Sequence, residues 1–257
     1  EDKISDIVKD RQNDWRFYKI EKKKISDELS LIKFDNNITM PIELILPNEK
    51  GDFESFNLIP AQVLSSQLQK KYPKIRTYMG KSNDRRNVKL RLSDSPIGVN
   101  IWIIMPNGKN HFVQPLKVDP NIYFSYNRSE RQLYEDFKCY TKAEKKINSS
   151  HFKSKNVSSS KSKLSETLKT FRIAISATGE FTSFWGDDDD SNGTNSEDAF
   201  AAVASTINRV NEVFENDLGI HLELVSDASL LYDNPETDPY TDDLNEEVQK
   251  TLDDVFG

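Results

Sequence analysis

Two hydrophobic rhythms divide this chain near residue 170. Before it, apolar and polar positions mostly alternate in short runs closed by Pro, Gly, Asn or Asp, the pattern of half-buried strands. Residues 41–47 alternate between two prolines, 48–52 form a turn, and 53–59 alternate again, which predicts a hairpin. Further strands are predicted over 75–79, 88–93 and 98–105. After the turn signal Pro106-Asn107-Gly108 another follows over 111–115. The alternation places Trp102 and Ile104 on one face of an antiparallel sheet and Ile101 and Ile103 on the other. Residues 60–71 break the rhythm, because Val63, Leu64, Gln67 and Leu68 are spaced to share one side of a short helix.

After residue 170 the period changes. Residues 171–176 read as a strand, and 196–218 as a long helix with Ala199, Val203, Ile207, Val210 and Phe214 along one face. Ser196 or Asp198 is placed to cap that helix, and Gly219 to end it. Residues 220–225 form a second strand, so the order strand, helix, strand predicts a right-handed parallel crossover. A final helix is predicted over 242–256, with Leu244, Val248, Leu252 and Val255 on one side. Two strands and two helices are too few to bury a parallel sheet on both faces, so this stretch is expected to need further structure. Residues 141–169 carry many Lys and Ser and few large apolar groups, which predicts a flexible linker open to proteolysis. The predicted fold class is α+β: an antiparallel-sheet region over 1–140, the linker over 141–169, and an incomplete α/β domain over 170–257.

Composition adds bounds rather than a function. The 257 residues are 36% hydrophobic and can bury a core, and 35 basic against 42 acidic side chains leave a net charge of −7. That balance argues against nucleic acid or an anionic membrane as partner, and no apolar run approaches the roughly 18 residues of a membrane span. The opening residues are too polar for an export signal, so any such signal is expected to have been removed. Lys and Arg concentrate before residue 170, Asp and Glu after it. Two readings follow: a basic first half seated against an acidic second half, or two independently solvated surfaces.

Candidate chemistry is sparse. The histidines, His111, His151 and His221, have no ligand spacing with one another, and no phosphate loop, Gly-x-Ser-x-Gly elbow or Cys/His triad can be assembled. Cys139 stands alone, so it makes no internal disulfide. Asp188, Asp190, Asn192 and Gly193 match the first half of an EF-hand loop and mark a candidate calcium site. The twelfth position is Ala199 rather than Glu, however, and a solvated loop feeding acidic charge to the next helix is the competing reading.

Several segments carry a resemblance. Residues 171–174 with Thr178-Gly179-Glu180-Phe181-Thr182, then Ile207-Asn208-Arg209-Val210-Asn211 and Phe214-Glu215-Asn216-Asp217-Leu218, and Thr237-Asp238-Pro239-Tyr240, resemble the start of the reprolysin-like metzincin domain of bacterial secreted metallopeptidases. Tyr72 to Gly80, Leu90-Arg91-Leu92-Ser93, Ser95-Pro96-Ile97-Gly98 and Tyr123-Phe124-Ser125-Tyr126 are similar to the proregion of those enzymes. The resemblance implies a secreted zinc metalloendopeptidase zymogen acting on protein or peptide substrates, with the remainder of its own catalytic domain as partner. It implies a maturation cut in the linker. The motif H-E-x-x-H-x-x-G-x-x-H does not occur, so zinc ligands and catalytic residues are expected beyond Gly257, and this chain alone is not expected to be catalytic. Cys139, near the end of the proregion, is the candidate latency ligand to zinc in a cysteine switch; the alternative is a small buried hydrophobe. Two other functions fit the same domain pair: a non-catalytic binding or adhesion module of a surface protein, and a protease inhibitor acting in trans.

Overall fold

A computed structural model describes residues 15–32, 40–106, 108–117, 119–128, 168–187, 191–241 and 243–256. The alternating region forms an eight-stranded antiparallel sheet: β1 (Arg16–Lys19), β2 (Ile42–Pro47), β3 (Phe53–Pro60), β4 (Arg76–Ser82), β5 (Lys89–Ser95), β6 (Gly98–Ile104), β7 (Asn110–Leu116) and β8 (Asp119–Arg128), in the order β1-β8-β7-β6-β5-β4-β3-β2. From β2 to β8 it is a plain meander, as the turn signals predict. β1 then closes on β8, and Arg16 reaches the β2–β3 turn, where Nη1 donates to the Glu49 carbonyl at 2.7 Å. The two edges of the sheet therefore approach each other.

The predicted faces hold. Ile101 and Ile103 are buried with Leu44, Leu46, Phe56, Leu58, Leu90, Leu92 and Val113 on the inner side, whereas Trp102 and Ile104 are half-buried on the outer side. Helix α1 (Lys22–Ser30) closes the inner side with Leu29, whose carbonyl accepts from the Tyr78 hydroxyl. β5 is covered on both faces, because a second layer lies against its outer side.

That layer is the α/β stretch. β9 (Lys169–Ile173) and β10 (Ile220–Leu224) pair in parallel across the long helix, giving the expected strand, helix, strand unit. α3 (Gly179–Trp185) precedes the long helix α4 (Asn195–Asp217), and α5 (Leu244–Phe256) ends the described chain. Gly219 ends α4 at a φ of +66°, a left-handed conformation suited to glycine. The cap of α4 differs from expectation: Thr194 accepts from Glu197 N–H while the Glu197 carboxylate accepts from Thr194 N–H, a reciprocal capping box. Ser196 instead donates to Asp233, and Asp198 is buried.

The helix expected over 60–71 is corrected. Only α2 (Ser66–Lys71) is helical; β3 runs to Pro60, and Leu64 forms an isolated parallel bridge with Leu224 of β10. The apolar spacing that suggests one helix belongs to an extended segment followed by a single turn and a half of helix. Among the described residues no helix is long and apolar enough to cross a membrane.

A candidate functional site at the seam between the two layers

The α/β stretch does not build its core alone. Val63, Leu64, Leu68, Tyr72 and Ile75 from the first region are buried together with Ala199, Phe200, Val203, Ala204 and Ile207 of α4 and Leu222 and Leu224 of β10. Tyr72 and Phe200 are in ring contact, with centroids 4.6 Å apart. Backbone bonds bind the same seam: Leu224 N–H donates to the Val63 carbonyl at 2.8 Å, and Ser65 N–H donates to the Leu224 carbonyl at 3.0 Å. Residues 63–65 thus extend the parallel sheet by one strand position beyond β10, the mode of recognition known as β-augmentation.

The asparagines of Ile207-Asn208-Arg209-Val210-Asn211 explain why a polar pair sits on the buried side of α4. Asn211 Nδ2 donates to the Leu222 carbonyl at 2.9 Å and its Oδ1 accepts from Leu222 N–H at 2.8 Å, so one side chain replaces a strand's backbone contact. One turn earlier Asn208 donates to the Leu92 carbonyl at 3.0 Å and lies 3.2 Å from Ser93 Oγ, on β5 of the other layer. Both asparagines have no exposed surface. One therefore ties α4 to its own sheet and the other ties it to the first region.

An ionic network lies beside them. Arg91 of β5 is 2% exposed at its side chain; its Nε donates to Glu212 Oε2 at 2.8 Å and its Nη2 to Glu215. Lys89 reaches Glu212 at 3.1 Å. At the far edge Lys71 pairs with Asp227 at 2.5 Å. Of the two readings of the charge asymmetry, the seated one describes these pairs. Burial pushes the Asp227 carboxyl up, but the Lys71 and Ser229 hydrogen bonds outweigh it and hold it at about 2.

His221 completes the network. Its Nδ1–H donates to Glu215 Oε1 at 2.7 Å and its Nε2–H to the Gln62 carbonyl at 3.1 Å. Acceptors at both nitrogens require the doubly protonated ring. The Glu215 hydrogen bond raises its pKa above the ordinary histidine value, against burial and the Arg91 charge. Burial pushes Glu215 up, yet the bonds from His221 and Arg91 bring it below the usual carboxylate range. A raised histidine pKa contributes stability that is present below the unfolded value and lost as pH rises through the folded one. The lowered Glu215 contributes stability lost as pH falls through its folded value. Unfolding free energy, measured by urea titration from about pH 6 to about pH 9, is therefore expected to decline more in the wild type than in His221→Gln.

No described histidine offers a free pair of metal-binding nitrogens. His111 is buried, with Nδ1 2.7 Å from Asn127 Oδ1, and burial lowers its pKa. His151, Cys139, Asp188 and Asp190 lie outside the described residues. Among the described residues no group of three or more His, Cys, Asp or Glu gathers as a metal site. A zinc ion finds no set of ligands among the described residues. Near the expected calcium loop, Asn192 Nδ2 donates to Asp187 Oδ2 at 2.9 Å, and burial, with Asp187 beside it, raises Asp198 to about 7.

The segments that carry the family resemblance meet in space. Gly179 N–H donates to Asp238 Oδ2 at 2.7 Å, and the Tyr240 hydroxyl bonds to Ser176. A Cβ at Gly179 would stand 2.2 Å from the Pro235 nitrogen, so the Thr178-Gly179-Glu180 turn has no room for another residue. Residues 167–257 match the family model described as Metallo-peptidase family M12B Reprolysin-like. That stretch is related to reprolysin-like metallopeptidases, a family of zinc-dependent proteases. No curated protein matches the chain.

Proposed function

We propose that this chain is the front of an exported zinc metalloendopeptidase zymogen, in which the region before about residue 140 folds with the opening of the catalytic domain and keeps it latent. One observation carries this reading: the segment related to metallopeptidases takes a strand position and five of the fourteen buried residues of its hydrophobic core from the preceding region. A bound partner that only recognised a finished surface would not be needed to complete that core. The catalytic zinc ligands belong, in this reading, to sequence following Gly257. The linker over 141–169 is the cleavage region, and latency through Cys139 is a separate part of the proposal that rests on its sequence position.

The test is an activity time course on the precursor carrying the sequence beyond Gly257, with a broad peptide mixture as substrate. Activity is expected to be absent in the intact precursor and to appear after a cut within 141–169. Full activity of the uncut precursor would remove the latency reading, and absence of tightly bound zinc would favour a non-catalytic binding module.

A further inference from the structure

The inner side of the eight-stranded sheet holds three polar atoms that its packing leaves unsatisfied. His111 Nε2, Ser125 Oγ and the Tyr18 hydroxyl are buried, with no hydrogen-bond partner among the described residues. The strand register groups them. His111 stands opposite Asn127 and Val113 opposite Ser125, so Ser125 is the diagonal neighbour of His111 across the β7–β8 ladder. Tyr18 of β1 stands opposite Tyr123, two residues along β8 from Ser125. His111 shares the inner face with Ile103, its partner on β6, and is 1% exposed. Its ring is held at one nitrogen alone, Nδ1, which lies 2.7 Å from Asn127 Oδ1. That oxygen can only accept, so Nδ1 carries the proton and Nε2 of the neutral ring keeps a bare lone pair. Turning the Asn127 amide over would exchange the tautomer and still leave Nε2 unbonded.

Proton uptake by this ring would create a buried cation with no anion to receive it. The charged groups whose fields reach it are Glu49 in the β2–β3 turn, Arg16 of β1 and Arg85 between β4 and β5; only Glu49 favours the proton. Glu49 is already held by both terminal nitrogens of Arg85, at 2.7 and 3.0 Å, and Glu54 by Arg85 Nε at 2.8 Å. Burial accordingly lowers the pKa of His111 below the ordinary histidine value, against the Asn127 bond. The element placed to give way is β1. It has four residues, of which Tyr18 alone is even half-buried, and among the described strands it pairs with β8 only. Lifting β1 would admit water to the Tyr18 hydroxyl and Ser125 Oγ and, past them, to the imidazole, so that all three unmet polar atoms gain partners.

We propose that His111 is an acid-sensitive latch on this sheet: proton uptake at its ring releases β1 from β8 while the seam with the α/β stretch stays closed. A folded pKa below the unfolded value means that the closed sheet binds fewer protons than the opened one. Its stability is therefore complete above about pH 6.5 and is lost as pH falls below that, by up to about tenfold per unit until the folded value is reached. His221 responds with the opposite sign, since a raised histidine keeps its full contribution below the unfolded value, and it lies at the seam. Asp94 and Asp198, whose raised carboxyls also favour the folded state as pH falls, belong to β5 and α4 rather than to the latch. Under the zymogen reading above, mild acid would open the front piece to a second cut; the latch itself does not depend on that reading.

The test follows amide hydrogen exchange of the full chain by mass spectrometry between about pH 7 and about pH 5, corrected for the intrinsic exchange rate. Opening of β1 and β8 in the wild type is expected to increase about thirtyfold, while α4 and β10 stay protected. In His111→Gln the opening of β1 and β8 is expected to change less than about threefold over the same range. Ring nitrogen shifts of His111 in the labelled wild type keep the test decisive if His111→Gln fails to fold: the closed state is expected to hold a neutral ring below about pH 6. An ordinary histidine titration with β1 still protected, an equal acid response in His111→Gln, or loss of protection in α4 together with β1 would each overturn the latch. None of these readouts uses proteolytic activity, so failure of the latch and failure of the zymogen reading are told apart.

Discussion

Residues 168–257 produced alone are expected to show no cooperative unfolding transition, whereas the full chain unfolds in one. The fragment lacks Val63, Leu64, Leu68, Tyr72 and Ile75, which leaves Phe200, Val203, Ile207 and Leu224 open to water. Deleting a single buried large side chain costs about 2–5 kcal/mol. Removing five at once, about 10–25 kcal/mol on that scale, matches or exceeds the roughly 5–15 kcal/mol that stabilises a whole domain. The Leu224 N–H and carbonyl would also lose Val63 and Ser65 as partners. Near-ultraviolet circular dichroism during a urea titration is the measurement. A sigmoidal transition in the fragment with the midpoint of the full chain would show that the second layer is self-sufficient and that the shared core does not matter.

Arg91→Ala is expected to destabilise the full chain by about 3 kcal/mol, because it takes the guanidinium from two largely buried carboxylates and leaves Glu212 with Lys89 and Glu215 with His221 as their remaining cationic partners. The value is a cost of breaking the network rather than the worth of forming it. A triple replacement with Arg91→Met, Glu212→Gln and Glu215→Gln is therefore expected to recover much of the loss. Arg91→Lys should recover little, since one ammonium on a shorter reach cannot bond both carboxylates as the guanidinium fork does. Lys71→Ala serves as the contrast: its side chain is 54% exposed, and the loss is expected to stay below about 1 kcal/mol. Equal effects of Arg91→Ala and Lys71→Ala in urea titrations would contradict a buried electrostatic seam.

From β2 to β7 the meander was readable because each strand announces itself locally, through alternation and a turn of Gly, Pro or Asn. β9, α4 and β10 were readable for a similar reason, since α4 shows its buried face over six turns. The segment over 60–65 was not, because what holds it extended is Leu224, about 160 positions away, and a short apolar run fits either period. α3 escaped notice because seven residues are too few to show a period, although Phe181 and Trp185, four apart, pack against the shared core. β8 was not predicted, as its aromatic residues occupy both faces and break the alternation.

The seam was harder still. Asn208 and Asn211 lie three apart on the apolar side of α4, and that polar interruption of a hydrophobic stripe was the available signal. Its meaning depends on two partners, Leu92 and Leu222, that belong to different layers. The uneven charge distribution fitted contact between the halves and two solvated surfaces equally, and could not select Arg91 among many basic residues. Asp198 passed for a helix cap because its position allows it; Glu197, with Thr194, claimed that role through the capping box.

The strand position filled by residues 63–65 also bears on what a cut in the linker would accomplish. Scission alone would turn one folded chain into a two-chain complex still joined through a sheet and a common core. Escape of the front piece would then be a separate dissociation, slow at high protein concentration and hastened by dilution or by a second cut within the front piece. If the chain is the zymogen proposed above, onset of activity after cleavage would accordingly show a lag whose length depends on how concentrated the preparation is.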